Sequence, residues 1–148
     1  KTQEYQRLTQ QIGILYPGIR EVLQRLRQDY RLGMVTGSLG AQVFPVLRRE
    51  GLSPFFECVI TAEEIQKGKP DPEGYLKGVA ALGLPAESIV VVEDSPWGVG
   101  AARAAKLKCI AVLHTVPREK LQKADAIVES VQRVNARLIR EVLTLKST

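Results

Sequence analysis

The sequence predicts an α/β fold with a mainly parallel sheet. Three observations lead there. Short apolar runs at 32–35, 58–60, 89–92, 109–113 and 126–128 alternate with longer amphipathic stretches, the alternation that parallel strands joined by crossover helices require. The run at 89–92, Ile-Val-Val-Val, has no polar break, which fits a strand buried on both faces. That run stops on two adjacent carboxylates, Glu93 and Asp94, and Ser95-Pro96 follows, a pair suited to the cap and first turn of a helix. Open α/β sheets hold their ligands at the carboxyl ends of such strands.

Residues 1–12 are polar, with Tyr5, Leu8 and Ile12 at helical spacing, and Tyr16-Pro17-Gly18 breaks the pattern. This stretch reads as a helix and a linker into the main domain. Ile19, Val22, Leu23 and Leu26 recur at helical spacing, so a helix is expected over 18–30. A strand over 32–35 ends at Thr36-Gly37-Ser38. A second helix covers 41–50, and Gly51 suits its stop. The next strand lies within 55–61, centred on Val59. A loop over 62–71 is punctuated by Gly68, Pro70 and Pro72, and a helix follows over 73–82 with Gly83 at its end. A turn at 85–88 leads into the strand at 89–92. The helix over 96–105 carries Gly98, Gly100, Ala101 and Ala102, which keep it thin enough to lie close on the sheet. A strand over 109–113, an irregular or weakly helical stretch over 114–124 and a short strand over 126–128 come next. The chain closes on an amphipathic helix over 131–145, with Val134, Leu138, Ile139 and Val142 inward.

A chain of 148 residues, 45% hydrophobic, is one domain's worth and can bury a sizeable core. The net charge of +5 is dispersed, which suits anionic small ligands better than nucleic acid. A single tryptophan, without aromatic-basic interleaving, argues against single-strand binding. Cys58 and Cys109 lack metal or redox spacing and are expected as buried free thiols in a reducing compartment. No leader is recognised and no run is long and apolar enough to cross a bilayer, so a cytoplasmic location is expected.

Three polar clusters sit at or near one edge of the expected sheet. Thr36-Gly37-Ser38 places hydroxyls and exposed backbone N–H groups at a helix start, either a phosphate cradle or an ordinary turn. Lys69 lies on a loop framed by Pro70 and Pro72, whose rings fix φ. It is either a held ammonium that neutralises phosphate or a solvated surface lysine. Glu93-Asp94 offers two carboxylates to a hard cation such as Mg²⁺, or else a helix cap and a solvated strand end. Cradle, fixed cation and metal site together suit phosphoryl transfer, where positioning and charge neutralisation do most of the catalysis.

The order Val35-Thr36-Gly37-Ser38, then Gly68-Lys69-Pro70-Asp71-Pro72-Glu73-Gly74-Tyr75, then Val92-Glu93-Asp94-Ser95-Pro96-Trp97-Gly98 resembles the haloacid dehalogenase superfamily, in the branch of β-phosphoglucomutase and phosphoglycolate phosphatase. The resemblance implies a Rossmann-like core with helices on both faces. It implies a Mg²⁺-dependent phosphatase or phosphomutase that acts on a small phosphorylated metabolite, such as a sugar phosphate, through an aspartyl-phosphate. By position, Thr36 would bind the transferring phosphoryl group with help from Gly37 and Ser38. Lys69 would bridge nucleophile and phosphate, and Glu93 and Asp94 would hold Mg²⁺ directly or through water. Glu73 stands where the family often has Asp, a change expected to be structural. Residues 1–15 would be the end of a helical cap with its linker, and 16–148 the core.

The resemblance also implies residues that this sequence does not contain. The family's nucleophile and acid–base partner are the two acids of an Asp-x-Asp motif ending the first strand, and no such motif occurs here. That strand would be the centre of the sheet, between the strands ending at Thr36 and Glu93. Without it those neighbours would stand roughly 10 Å apart, two inter-strand spacings. The expectation is the carboxyl-terminal part of a longer hydrolase, inactive alone, with the nucleophile strand supplied by an amino-terminal segment or a complementing chain. Two other classes compete. One is a degenerate domain that binds phosphate or a partner protein without catalysis. The other is a flavodoxin-like or receiver-type module, which shares acids at strand ends but not the lysine-proline loop. His114, the sole histidine, is expected in a surface role and Trp97 in packing.

Overall fold

The elements follow the expected alternation: α1 (Ile19–Arg27), β1 (Gly33–Val35), α2 (Gly40–Arg49), β2 (Cys58–Ile60), α3 (Glu73–Leu82), β3 (Val90–Glu93), α4 (Pro96–Ala104), β4 (Lys108–Val112), β5 (Ala126–Val128) and α5 (Ala136–Leu143). They belong to a computed structural model that describes residues 15–147; the helix expected over 1–12 lies outside the described residues. Every strand pairing is parallel, but the strands form two sheets. In one, β1 pairs with β2 and Val35 lies opposite Ile60. In the other the order is β3-β4-β5, with Glu93 opposite Ala111 and Ala111 opposite Ile127.

Strand β4 shows why this is a layered fold. Cys109 and Ala111 point to one face, into a cluster with Val99, Ala101 and Ala102 of α4 and Tyr75 of α3. Ile110 and Val112 point to the other, into a cluster with Val22 and Leu26 of α1 and Ile139 and Val142 of α5. The period of two thus buries both faces under helices. Ile110 is fully buried, which contributes about 2–3 kcal/mol relative to exposure. A third cluster, built on Leu23, Leu47 and Leu52, supports β1 and β2.

Two sequence expectations are corrected. The strand at 89–92 is not buried on both faces: Val91 and Glu93 are buried, but Val92 is 41% exposed, because β3 is an edge strand of its sheet. The closing helix does not begin at 131. Asn135 accepts a hydrogen bond from Leu138 N–H at 2.9 Å and caps a helix that starts at Ala136. Val134 is buried as expected, but as an extended residue between a short 3₁₀ segment, Val131–Arg133, and the cap. The strand expected within 55–61 is Cys58–Ile60, centred on Val59 as expected, and Phe55 lies in the 3₁₀ turn before it.

Candidate functional site

The edges of β1 and β3 that face away from their sheets border one cleft of about 600 Å³. Its walls are apolar: Val22, Leu26 and Ile139 on one side, Val35, Val79 and Leu107 on the other. Its mouth is polar, with Thr36, Gly37, Lys69, Tyr75, Glu93 and Asp94. Five of the six site residues read from the sequence, Thr36, Gly37, Lys69, Glu93 and Asp94, thus share one cavity. Ser38 is not part of its lining. It holds the loop from behind: its N–H donates to Thr36 Oγ1 at 3.1 Å, and its carbonyl accepts from Ala62 N–H at 3.0 Å.

The amino terminus of α2 is already occupied. Gly40 N–H donates to both oxygens of Glu63, at 3.0 and 3.1 Å. Thr61 foremost, and then the backbone N–H groups of Glu63 and Gly40, hold the Glu63 carboxyl below its usual range. Gly37 stands in open space, where even an added Cβ would meet nothing within 4 Å. The groups of this loop left open toward the cleft are therefore Gly37 and the Thr36 hydroxyl.

The loop carrying Lys69 is tied at both ends. Glu73, in the first turn of α3, accepts from Gln66 N–H and Lys67 N–H, each at 2.9 Å, and pairs with Lys77 at 2.9 Å. Those donors, the Gln66 amide first, lower its pKa from 4.5 to about 2. Asp71 Oδ1 in turn accepts from Glu73 N–H at 3.0 Å. Helix α3 lies tightly on β1, since a Cβ at Gly74 or Gly78 would come within 3.0 Å of a Val35 methyl. On the far side, a Cβ at Gly100 of α4 would reach Pro70 at 3.3 Å. Gly100, one of the small residues noted in the sequence, leaves room for Pro70 of the loop against α4.

Glu93 is buried, and its carboxylate is fully engaged. Oε1 accepts from Lys69 Nζ and from Tyr75 OH. Oε2 accepts from Asp94 N–H at 3.1 Å and lies 3.4 Å from both the N–H and the hydroxyl of Ser95. Burial pushes its pKa up, but the Lys69 charge and these hydrogen bonds outweigh burial and leave it below the usual carboxylate range. Ser95, not Asp94, caps α4, accepting from Gly98 N–H at 3.0 Å. The Asp94 carboxylate is thereby released from capping. Thr115 OH donates to the Asp94 carbonyl at 2.6 Å and lies 3.2 Å from Oδ2. Its single proton goes to the nearer oxygen, so the Asp94 carboxylate keeps its capacity for a cation.

Among the described residues no three His, Cys, Asp or Glu side chains come together as a metal cage. Mg²⁺ needs no such cage, since it binds through one or two carboxylates and completes its shell with water and phosphate oxygens. Asp94 fits that role directly. Glu93, with both oxygens engaged, fits it from behind, through what it holds in place.

Tyr75 escaped the sequence reading as a site residue. Its signal was positional: Tyr75, Gly78, Val79 and Leu82 share the inward face of α3 and all border the cleft. His114 is not a surface residue. It is half-buried, its ring lies 3.8 Å from that of Tyr16, and Nε2 accepts from Val131 N–H at 3.0 Å. Trp97 does not pack inside; it is 65% exposed on the first turn of α4. Cys109 is a buried free thiol as expected, and Cys58 a half-buried one.

The model of the haloacid dehalogenase-like hydrolases matches residues 2–106. The chain is 33% identical over 123 residues to validoxylamine A 7'-phosphate phosphatase of Streptomyces hygroscopicus subsp. limoneus, covering 82% of this chain and 58% of that protein. It is 32% identical over 130 residues to a phosphorylated carbohydrates phosphatase of Thermotoga maritima, covering 86% and 60%. Among solved structures, β-phosphoglucomutase of Clostridium difficile superposes with a TM-score of 0.83 at 25% identity, over 96% of this chain and 63% of that one. The chain thus spans about three fifths of the length of the proteins it resembles. Its fold, motif order and family match agree, and the chain belongs to the haloacid dehalogenase-like hydrolases.

Proposed function

We propose that this chain is the carboxyl-terminal part of a phosphatase or phosphomutase that acts on a small phosphate ester such as a sugar phosphate. One observation carries the reading: Thr36, Lys69 and Asp94, from three separate strand ends and loops, meet at the mouth of one cleft bordered by two open strand edges. The relatives named for phosphorylated carbohydrates and for validoxylamine A 7'-phosphate support the small phosphate-ester class.

Both cleft edges present unpaired backbone groups, a template for one more parallel strand. The apolar walls on either side would cover both of its faces. An upstream segment or a complementing chain would supply that strand and, at its carboxyl end, the nucleophilic Asp. The Asp carboxylate would attack phosphorus. The ester oxygen would depart with a proton from a second supplied acid, leaving an aspartyl-phosphate that water then cleaves. The Lys69 ammonium would balance the charge gathering between nucleophile and phosphoryl oxygens. The Thr36 hydroxyl and Gly37 N–H would hold those oxygens in place. Asp94 would hold Mg²⁺, which supplies further charge neutralisation when bound.

The test is hydrolysis of sugar phosphates by the protein carrying its native upstream sequence, with Mg²⁺ present. Lys69→Met should lower kcat by about a hundredfold or more. Unchanged turnover in that variant sinks the assignment. A second reading is a non-catalytic phosphate-binding domain, favoured by one observation: Glu93 and Asp94 are the only carboxylates lining the cleft among the described residues. Mg²⁺-dependent phosphate binding without turnover in the longer protein would select it.

A further inference from the structure

Granting the phosphoryl-transfer reading of the cleft, we propose that Tyr75 is a positioning residue: its hydroxyl fixes the Glu93 carboxylate, and the fixed carboxylate aims the Lys69 ammonium. A lysine ammonium rides on a flexible four-carbon stem, so a lysine that must meet a phosphoryl oxygen needs a partner that stays put. Glu93 Oε1 is that partner, and Lys69 shares it with Tyr75. The backbone at Asp94 holds the other oxygen. With one oxygen pinned by the main chain and one by a phenol, the carboxylate cannot turn about its terminal torsion.

The phenol itself is immobile. Tyr75 is buried on α3 against Val91, Val99, Cys109 and Leu121. Burial first, and the Glu93 charge second, raise its pKa far above the ordinary phenol value, so the hydroxyl remains a donor. The ring contributes separately: Lys69 Nζ lies 5.0 Å from its centroid, within cation–π range. The two contributions can be separated, since Phe keeps the ring and loses the hydroxyl while Leu loses both.

Two readouts test the assignment. The first uses the protein with its native upstream sequence and ¹⁵N-labelled lysine and follows the Lys69 ammonium resonance, identified by its loss in Lys69→Arg. Tyr75→Phe should broaden that resonance, with proton exchange about tenfold faster, while thermal unfolding still reports a folded protein. The second uses the protein with its native upstream sequence, Mg²⁺ and p-nitrophenyl phosphate. Tyr75→Phe should lower kcat about tenfold with KM held within about twofold, and Tyr75→Leu should lower it further. An unchanged ammonium resonance in Tyr75→Phe overturns the proposal, and so does an unchanged kcat. If the unsubstituted protein hydrolyses no phosphate ester, the functional reading fails and the resonance alone decides the positioning: its loss in Tyr75→Phe sustains it, its persistence overturns it.

Discussion

The two sheet fragments are held in different ways. Strand β4 lies between two partners with both faces sealed, and Cys109, Ile110 and Ala111 have no exposure at all. Among the described residues, strands β1 and β2 pair only with each other, and of their six residues only Ile60 is buried. The helices differ in the same direction. Helix α4 is capped by Ser95 and opened by Pro96, where a missing N–H costs nothing. Helix α2 carries Pro45 in its interior, which removes one of its hydrogen bonds. The stronger fragment holds Glu93 and Asp94, and the weaker one holds Thr36. Lys69, pinned between α3 and α4, joins the two through its pair with Glu93. The lesson is that the charged half of the candidate site is held by the core, whereas the hydroxyl half rests on the less buried pair of strands.

The sharpest way to break this comparison is to truncate one side chain in each fragment. Ile110→Ala should destabilise by about 3 kcal/mol, because it opens a cavity in a sealed layer. Val59→Ala, half-buried in β2, should cost about 1 kcal/mol. Urea unfolding measures both, and equal losses would mean the fragments are equally well supported. Next in size is Gly98→Ala. The added methyl would stand 1.9 Å from Glu93 Cδ, so the carboxylate must leave its donors, at a cost of about 2 kcal/mol. Ser95→Ala removes the α4 cap and should cost about 1 kcal/mol by the same assay. The smallest effect is at Glu73, which ties the lysine loop from the solvent side. Its pKa is depressed, so its contribution is complete above its ordinary 4.5 and disappears as pH falls toward about 2. The thermal midpoints of the natural protein and Glu73→Gln should differ at neutral pH and converge in acid. A gap that persists at the lowest pH would count against the tether.

Much of this arrangement was legible in the sequence. Alternating strands and helices gave the architecture, and the helix over 73–82 was read to the residue because Pro72 and Gly83 mark both of its ends. That Thr36, Gly37, Lys69, Glu93 and Asp94 gather on one cleft was readable because their motifs are local and sit at strand ends or beside them. What escaped was non-local. Val92 carries the letters of a buried strand, yet its exposure depends on which strand lies beside it, and no local pattern encodes that. Trp97 reads as core by composition but occupies a first turn that faces solvent. Tyr75 reads as ordinary helix packing; its partnership with Glu93, 18 positions on, exists only in three dimensions. The start of α5 escaped because Val134 obeys helical spacing while Asn135 withdraws from the helix to cap it.

The contact between Gly98 and the Glu93 carboxylate also constrains how sequences of this kind can diverge. At position 98 every replacement begins with a Cβ, and that atom has no room while Glu93 is present. A lineage that shortens residue 93 first opens the space and can then accept a side chain at 98. Either order gives up the carboxylate that anchors Lys69, but taking a side chain at 98 first also crowds the retained Glu93, whereas shortening residue 93 first does not. The two positions form an epistatic pair: the cost of a side chain at 98 depends on the length of residue 93.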